Sequence, residues 1–237
     1  MALTKTAPPF FDARKLPNPE VSYVAWLDVM GAGSSMLRSL PITANFVFKL
    51  HIVALEQKKI AIKLYPVMDG VYIVGTDQNE MRMYLAAVHE RLAGCFSTEK
   101  NNEHRFLVKC SIAYGPVIHG EGLDKGASNV LAGNRPYTNS ILLGMPMVFA
   151  VRSEPGAPPF GVFVHPTAED FMTAKEKKWS HTWWPWFELG KNRTAQGLKT
   201  SLPDYFKWCE ERAGVIDYPR DRIKVHKAQA EEYLVDA

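Results

Sequence analysis

Apolar residues along this chain cluster in short runs separated by stretches of helical spacing. Residues 21–28 form the first apolar run, ending Val24-Ala25-Trp26-Leu27-Asp28, and predict a buried strand. Gly31-Ala32-Gly33-Ser34-Ser35 reads as a turn into a helix capped by Ser34 or Ser35. Leu40-Pro41 should kink or restart that helix before it runs on to about Lys58. Residues 60–65 and 71–75 are apolar and rich in β-branched side chains, and the short link Pro66–Gly70 makes them a hairpin with Asp69 at or beside its tip. Over 78–95, Met81, Leu85, Val88 and Leu92 share one helical face. Phe106–Tyr114 predicts a strand ended by Gly115-Pro116, and glycine-rich 119–136 a loop. Tyr137–Arg152 predicts a helix with an irregular start at Gly144 and Pro146. Phe160–His165 predicts a short strand, 167–178 a helix, and Trp183–Leu189 an aromatic strand, read as core or dimer interface.

This order of strand, helix, hairpin, helix, strand matches the βαββαβ core of ferredoxin-like α+β folds. Such a sheet, with helices on one face, lays the first strand beside the hairpin. Asp28 and Asp69 then meet at one end of the sheet. A carboxylate at the end of a buried strand is costly unless a cation or donor answers it. Two of them together suit a hard divalent ion.

Composition narrows the classes. The 237 residues are 46% hydrophobic and 22% charged, ordinary for one globular domain. We expect a Pro-rich arm over 1–20, a domain over 21–203 and an extension over 204–237. A net charge of +3, with Lys and Arg scattered, argues against nucleic-acid binding. Three dispersed cysteines signal neither zinc nor disulfides, which fits a reduced cytoplasmic compartment. Residues 1–9 lack a signal-peptide core, and the longest apolar stretch, 42–55, is broken by Asn45, Lys49 and His51, so no direct membrane contact is expected. The histidines have no zinc-ligand spacing, no Gly-x-Ser-x-Gly surrounds Ser34 or Ser35, and 120–133 holds no P-loop.

Four motifs in order resemble the class III nucleotide cyclases: Asp28-Val29-Met30-Gly31, Met68-Asp69-Gly70, Tyr114-Gly115-Pro116-Val117, and Gly144 followed eight residues later by Arg152. The resemblance spans roughly residues 21–200. It implies that Asp28 and Asp69, with the Val29 carbonyl, hold two divalent cations (Mn²⁺ or Mg²⁺). It further implies that the turn around Gly31, Ser34 and Ser35 receives the β- and γ-phosphates. Arg152 would stabilise charge at the α-phosphate, and Lys191 or Arg193 would neutralise the terminal phosphate. In the family these groups come from two subunits, which implies a homodimer with composite sites.

Three positions depart from the family pattern. Val148 stands where a transition-state Asn is usual, and the purine-reading pair is replaced by Tyr65 and Ile141. An aromatic at position 65 leaves room for a smaller base. These features resemble the divergent pyrimidine cyclases of bacterial Pycsar antiphage systems, implying conversion of UTP, or of CTP, to a cyclic monophosphate read by a separate effector. The rival is a catalytically silent cyclase-like module that binds a nucleotide or a partner. A diguanylate cyclase is disfavoured, because 66–71 lacks a Gly-Gly-Asp-Glu-Phe-like turn.

Overall fold

A computed structural model describes residues 13–58, 60–123, 128–180, 182–189 and 193–235. The first half of the chain forms β1 (Glu20–Val29), α1 (Ala32–Arg38), α2 (Leu40–Glu56), β2 (Lys63–Val67), β3 (Gly70–Gly75), α3 (Gln78–Thr98) and β4 (Val108–His119). Then come α4 (Asn129–Gly133), α5 (Arg135–Thr138), β5 (Leu142–Leu143), α6 (Met145–Ser153), β6 (Val162–Val164), α7 (Ala174–Trp179) and β7 (Trp183–Trp184). Three helices end the chain: α8 (Arg193–Glu211), α9 (Ala213–Ile216) and α10 (Arg220–Tyr233).

The sheet order is β2-β3-β1-β4-β6-β7, with β5 on β4. Neighbouring strands in the run β2-β3-β1-β4 are all antiparallel, as a ferredoxin-like core requires. Alternation along β1 sorts its side chains between two faces. Tyr23, Ala25, Leu27 and Val29 enter the main core with Phe46 and Leu50 of α2 and Met81, Leu85, Val88 and Leu92 of α3. Val24 joins a smaller core on the other face with Tyr65, Val74, Val117 and Leu142. Helices were expected on one face only. Instead α6 lies over the second, with Met147 packed on the smaller core and the Ser111 hydroxyl donating to the Ala150 carbonyl.

Four local expectations are corrected. Helix α1 is capped by Gly31 at φ 70°, so Ser34 and Ser35 lie inside it. Strand β4 runs through Gly115-Pro116; its other edge is unpaired between Ile112 and Ile118, so the missing proline donor costs no ladder bond there. The stretch 137–152 splits into α5, β5 and α6, because Gly144 approaches Pro116 too closely to carry a side chain: a Cβ there would lie 2.6 Å from the Pro116 carbonyl oxygen. The aromatic run keeps only two strand residues before a 3₁₀ turn at Trp186–Leu189, whose Trp186 indole donates to the Phe160 carbonyl at 2.7 Å.

The last helices pack on the body. Leu198, Leu202, Phe206, Ile223 and Tyr233 are all buried in the main core, and the Tyr233 hydroxyl donates to the Trp184 carbonyl at 2.6 Å. Position 203/204, the expected edge of the extension, falls within α8. Among the described residues, no helix is long and apolar enough to cross a membrane.

Candidate catalytic rim

The β2–β3 hairpin turns at Met68 and Asp69, with Met68 in the left-handed region at φ 50°. Gly70 pairs with Asp28, which places Asp69 next to the end of β1. Gly70 is required there, since a Cβ would stand 2.5 Å from the Trp26 indole. Asp28 and Asp69, forty-one positions apart, thus meet at one rim.

The electrostatics of that rim are unbalanced. Burial pushes the Asp28 carboxyl up to about 7, and the charges of Asp69 and Glu154 add to the effect; a backbone hydrogen bond with Val29 opposes it. Glu154 is itself raised by burial, with Lys109 opposing. Lys109 pairs with Asp28 across β1 and β4, yet its ammonium group is turned to the Pro155 carbonyl and His226 Nε2, both at 3.2 Å. Crowded carboxylates, with the Lys109 ammonium hydrogen-bonded to Pro155 and His226, fit a divalent ion, which would reverse the penalty. Among the described residues, no cluster of three or more His, Cys, Asp or Glu has metal-site geometry, so the fit rests on the two aspartates and backbone oxygens.

The Val29 side chain is buried in the main core, leaving its backbone for the rim. The hydroxyls at the turn are engaged: Ser34 donates to Asp217 at 2.8 Å, and Ser35 accepts from Thr43 at 2.7 Å. Gly31 and the backbone of the turn are what remains for a phosphate. Arg152 is exposed in the last turn of α6, two residues before Glu154. Arg193 opens α8 and is exposed, and its neighbour Thr194 lies beside Gly94 of α3. Lys191 lies outside the described residues.

Tyr65 sits two residues before the end of β2 at Val67, about 7 Å back along the strand at roughly 3.3 Å per residue. It is only 5% exposed, and its hydroxyl is hydrogen-bonded to Nδ1 of His119, whose Nε2 lies 3.1 Å from Glu20. Glu20 fixes the proton on Nε2, so Nδ1 accepts from Tyr65 and the phenol oxygen retains acceptor capacity. Burial and the charges of Glu121 and Glu20 raise the Tyr65 hydroxyl to about 12.

Sequence reasoning missed Lys109, Glu154 and His119. Only Lys109 carries a signal, a lone lysine inside an apolar strand; the other two emerge from pairing.

No protein-family model matches the chain, and no curated protein sequence matches it. Solved structures do. A crystal structure of a guanylyl cyclase domain from the aquatic fungus Blastocladiella emersonii is 13% identical over 66% of this chain and 85% of its own, with a TM-score of 0.49. A bacterial light-regulated adenylyl cyclase is 13% identical over 67% of this chain and 48% of its own, with a TM-score of 0.52. The chain thus spans about half the length of that adenylyl cyclase. Together with the antiparallel β2-β3-β1-β4 core, the likeness establishes the architecture: this chain has the α+β fold of class III nucleotide cyclase catalytic domains.

Proposed function

We propose that this protein is a nucleotide cyclase that converts a pyrimidine nucleoside triphosphate, UTP by preference over CTP, to its 3′,5′-cyclic monophosphate and pyrophosphate. The observation that carries the reading is the meeting of Asp28 and Asp69 at one rim, with Asp28 pushed to about 7. The 3′-oxygen of the ribose bonds to the α-phosphorus, the bond to the β-phosphate oxygen breaks, and the 3′ proton leaves to solvent. Asp28, Asp69 and the Val29 carbonyl would hold two divalent cations, which would supply charge neutralisation and acidify that hydroxyl.

The chain's own residues orient the rest. The Gly31 turn offers backbone N–H groups to the outer phosphates, and Lys191 or Arg193 of a partner copy neutralises the terminal one. Arg152 meets charge at the α-phosphate. Tyr65, held by His119, offers its oxygen to a donor on the base, such as uracil N3–H or the cytosine amine. A homodimer with composite sites brings these groups together, and the exposed apolar side chains Phe48, Ile52 and Leu55 of α2 are a surface that a second copy would cover. By the sequence resemblance, the product would serve as an alarm in phage defence, read by a separate effector.

The reading is tested by incubating the protein with each of the four ribonucleoside triphosphates and Mn²⁺ and identifying products by mass. A cyclic pyrimidine product that falls about a hundredfold or more in Asp69→Ala is expected. Metal-dependent nucleotide binding with no pyrophosphate released would instead favour the silent module, to which Val148 in place of Asn already points.

A further inference from the structure

Behind the β1–α1 turn lies a cavity of about 350 Å³, within the range of small-molecule sites. Met30, Gly31, Ser34 and Ser35 form one wall, so the cavity backs onto the turn assigned above to the outer phosphates, and the terminal helices close the other. Asp28 and Asp69 lie outside its lining. Two aromatic pairs face it: Phe46 stacks on Phe106 at 5.1 Å and 24°, and Tyr205 on Trp208 at 5.8 Å and 23°. Flat walls of this kind accept a planar ring.

The polar end of the cavity is built to donate. Lys109 donates to the Pro155 carbonyl and to His226 Nε2, so that nitrogen is the acceptor and the ring proton sits on Nδ1. Nδ1–H therefore donates to the Tyr218 oxygen, leaving the Tyr218 O–H free to donate into the cavity. Burial, and after it the charges of Lys109 and Arg222, hold His226 down at about 4, so the ring stays neutral in this role. Arg105 is committed to the Glu99 carbonyl and Asn102. Arg38 and Arg222 also line the cavity, and neither has a hydrogen bond or ion pair among the described residues. Of the two acids in the lining, Asp217 is engaged by Ser34, and Glu103 is exposed at a short 3₁₀ turn.

We infer that this cavity, on the far side of the Gly31 turn from the Asp28–Asp69 pair, is a second ligand site for a planar aromatic phosphate of mononucleotide size: the ring lies against the aromatic walls, and the phosphate is held by Arg222, Arg38 and the Tyr218 hydroxyl. Guanidinium groups with an O–H donor match phosphate oxygens. The inference does not rest on the cyclase reading.

Calorimetric titration of the full chain in EDTA with AMP, UMP and phenyl phosphate tests it. At least one should bind, tenfold or more weakly in Arg222→Ala and severalfold more weakly in Tyr218→Phe, with Asp69→Ala unchanged. Three outcomes would overturn it: no binding by any of the three probes, binding indifferent to both cavity variants, or binding lost in Asp69→Ala. A negative result leaves the product assay untouched, so the two readings fail separately.

Discussion

His89 lies on the buried face of α3, where its Nδ1–H donates to the Leu85 carbonyl at 2.8 Å and Nε2 has no hydrogen-bond partner among the described residues. Burial holds its pKa down at about 4, against about 6.5 in an unfolded chain. The unfolded state therefore takes up a proton that the native state refuses, and His89 lowers stability as pH falls through that window. Between pH 7 and pH 5 the loss is about 2 kcal/mol. Urea melts at the two pH values should show the wild type losing about 2 kcal/mol more stability than His89→Leu on going from pH 7 to pH 5; the same change in both would refute the assignment. Asp28, raised rather than lowered, acts in the opposite direction, and the comparison of the two proteins cancels it. The contrast also explains what was legible at this scale. Asp28 and Asp69 announce themselves, because a carboxylate ending an apolar run is anomalous on its own. Lys109 and Glu154 become meaningful only through pairing that local sequence does not encode: strand register sets Lys109 opposite Asp28, and tertiary packing brings the Glu154 charge to the rim.

At the scale of elements, periodicity located the helices and strands that bury one face, and failed where a tertiary bond sets the backbone. Helix α3 shows both. Its apolar stripe was legible, but Arg82 on the same helix is buried too, bidentate to Glu176 at 2.6 and 3.0 Å, donating also to the Phe171 carbonyl and lying 5.2 Å from the Trp184 ring. Glu176 in turn accepts from the Trp184 indole at 3.1 Å and closes a capping box with Thr173. This network ties α3 to α7 and β7, beside the point where the aromatic run passes from a two-residue strand into a 3₁₀ turn. Arg82→Met should cost about 3 kcal/mol, because Glu176 keeps a buried charge without its partner. Chemical denaturation measures it, and a cost below about 1 kcal/mol would show the pair to be solvated. The capping serines failed for a related reason: Gly31 adopts a left-handed cap, which leaves Ser34 and Ser35 to bond Asp217 and Thr43.

For the whole molecule, the ferredoxin-like core was legible because its order of elements admits few topologies, whereas the packing of α8–α10 on that core was not, since charge and aromatics mingle there without a clear stripe. The proposed composite sites have a direct consequence. Asp69→Ala and Arg152→Ala, each inactive alone, should regain about one quarter of wild-type activity when mixed, since half the dimers are mixed and each holds one intact site. Confirmed mixed dimers without activity would place both residues in one subunit's site. The central claim, that two distant aspartates share cations, is tested most directly by Mn²⁺ binding read by electron paramagnetic resonance in the presence of 3′-deoxy-UTP. The account expects saturable binding that weakens about tenfold or more in both Asp28→Asn and Asp69→Asn. Binding that survives Asp69→Asn intact while Asp28→Asn abolishes it would contradict the account.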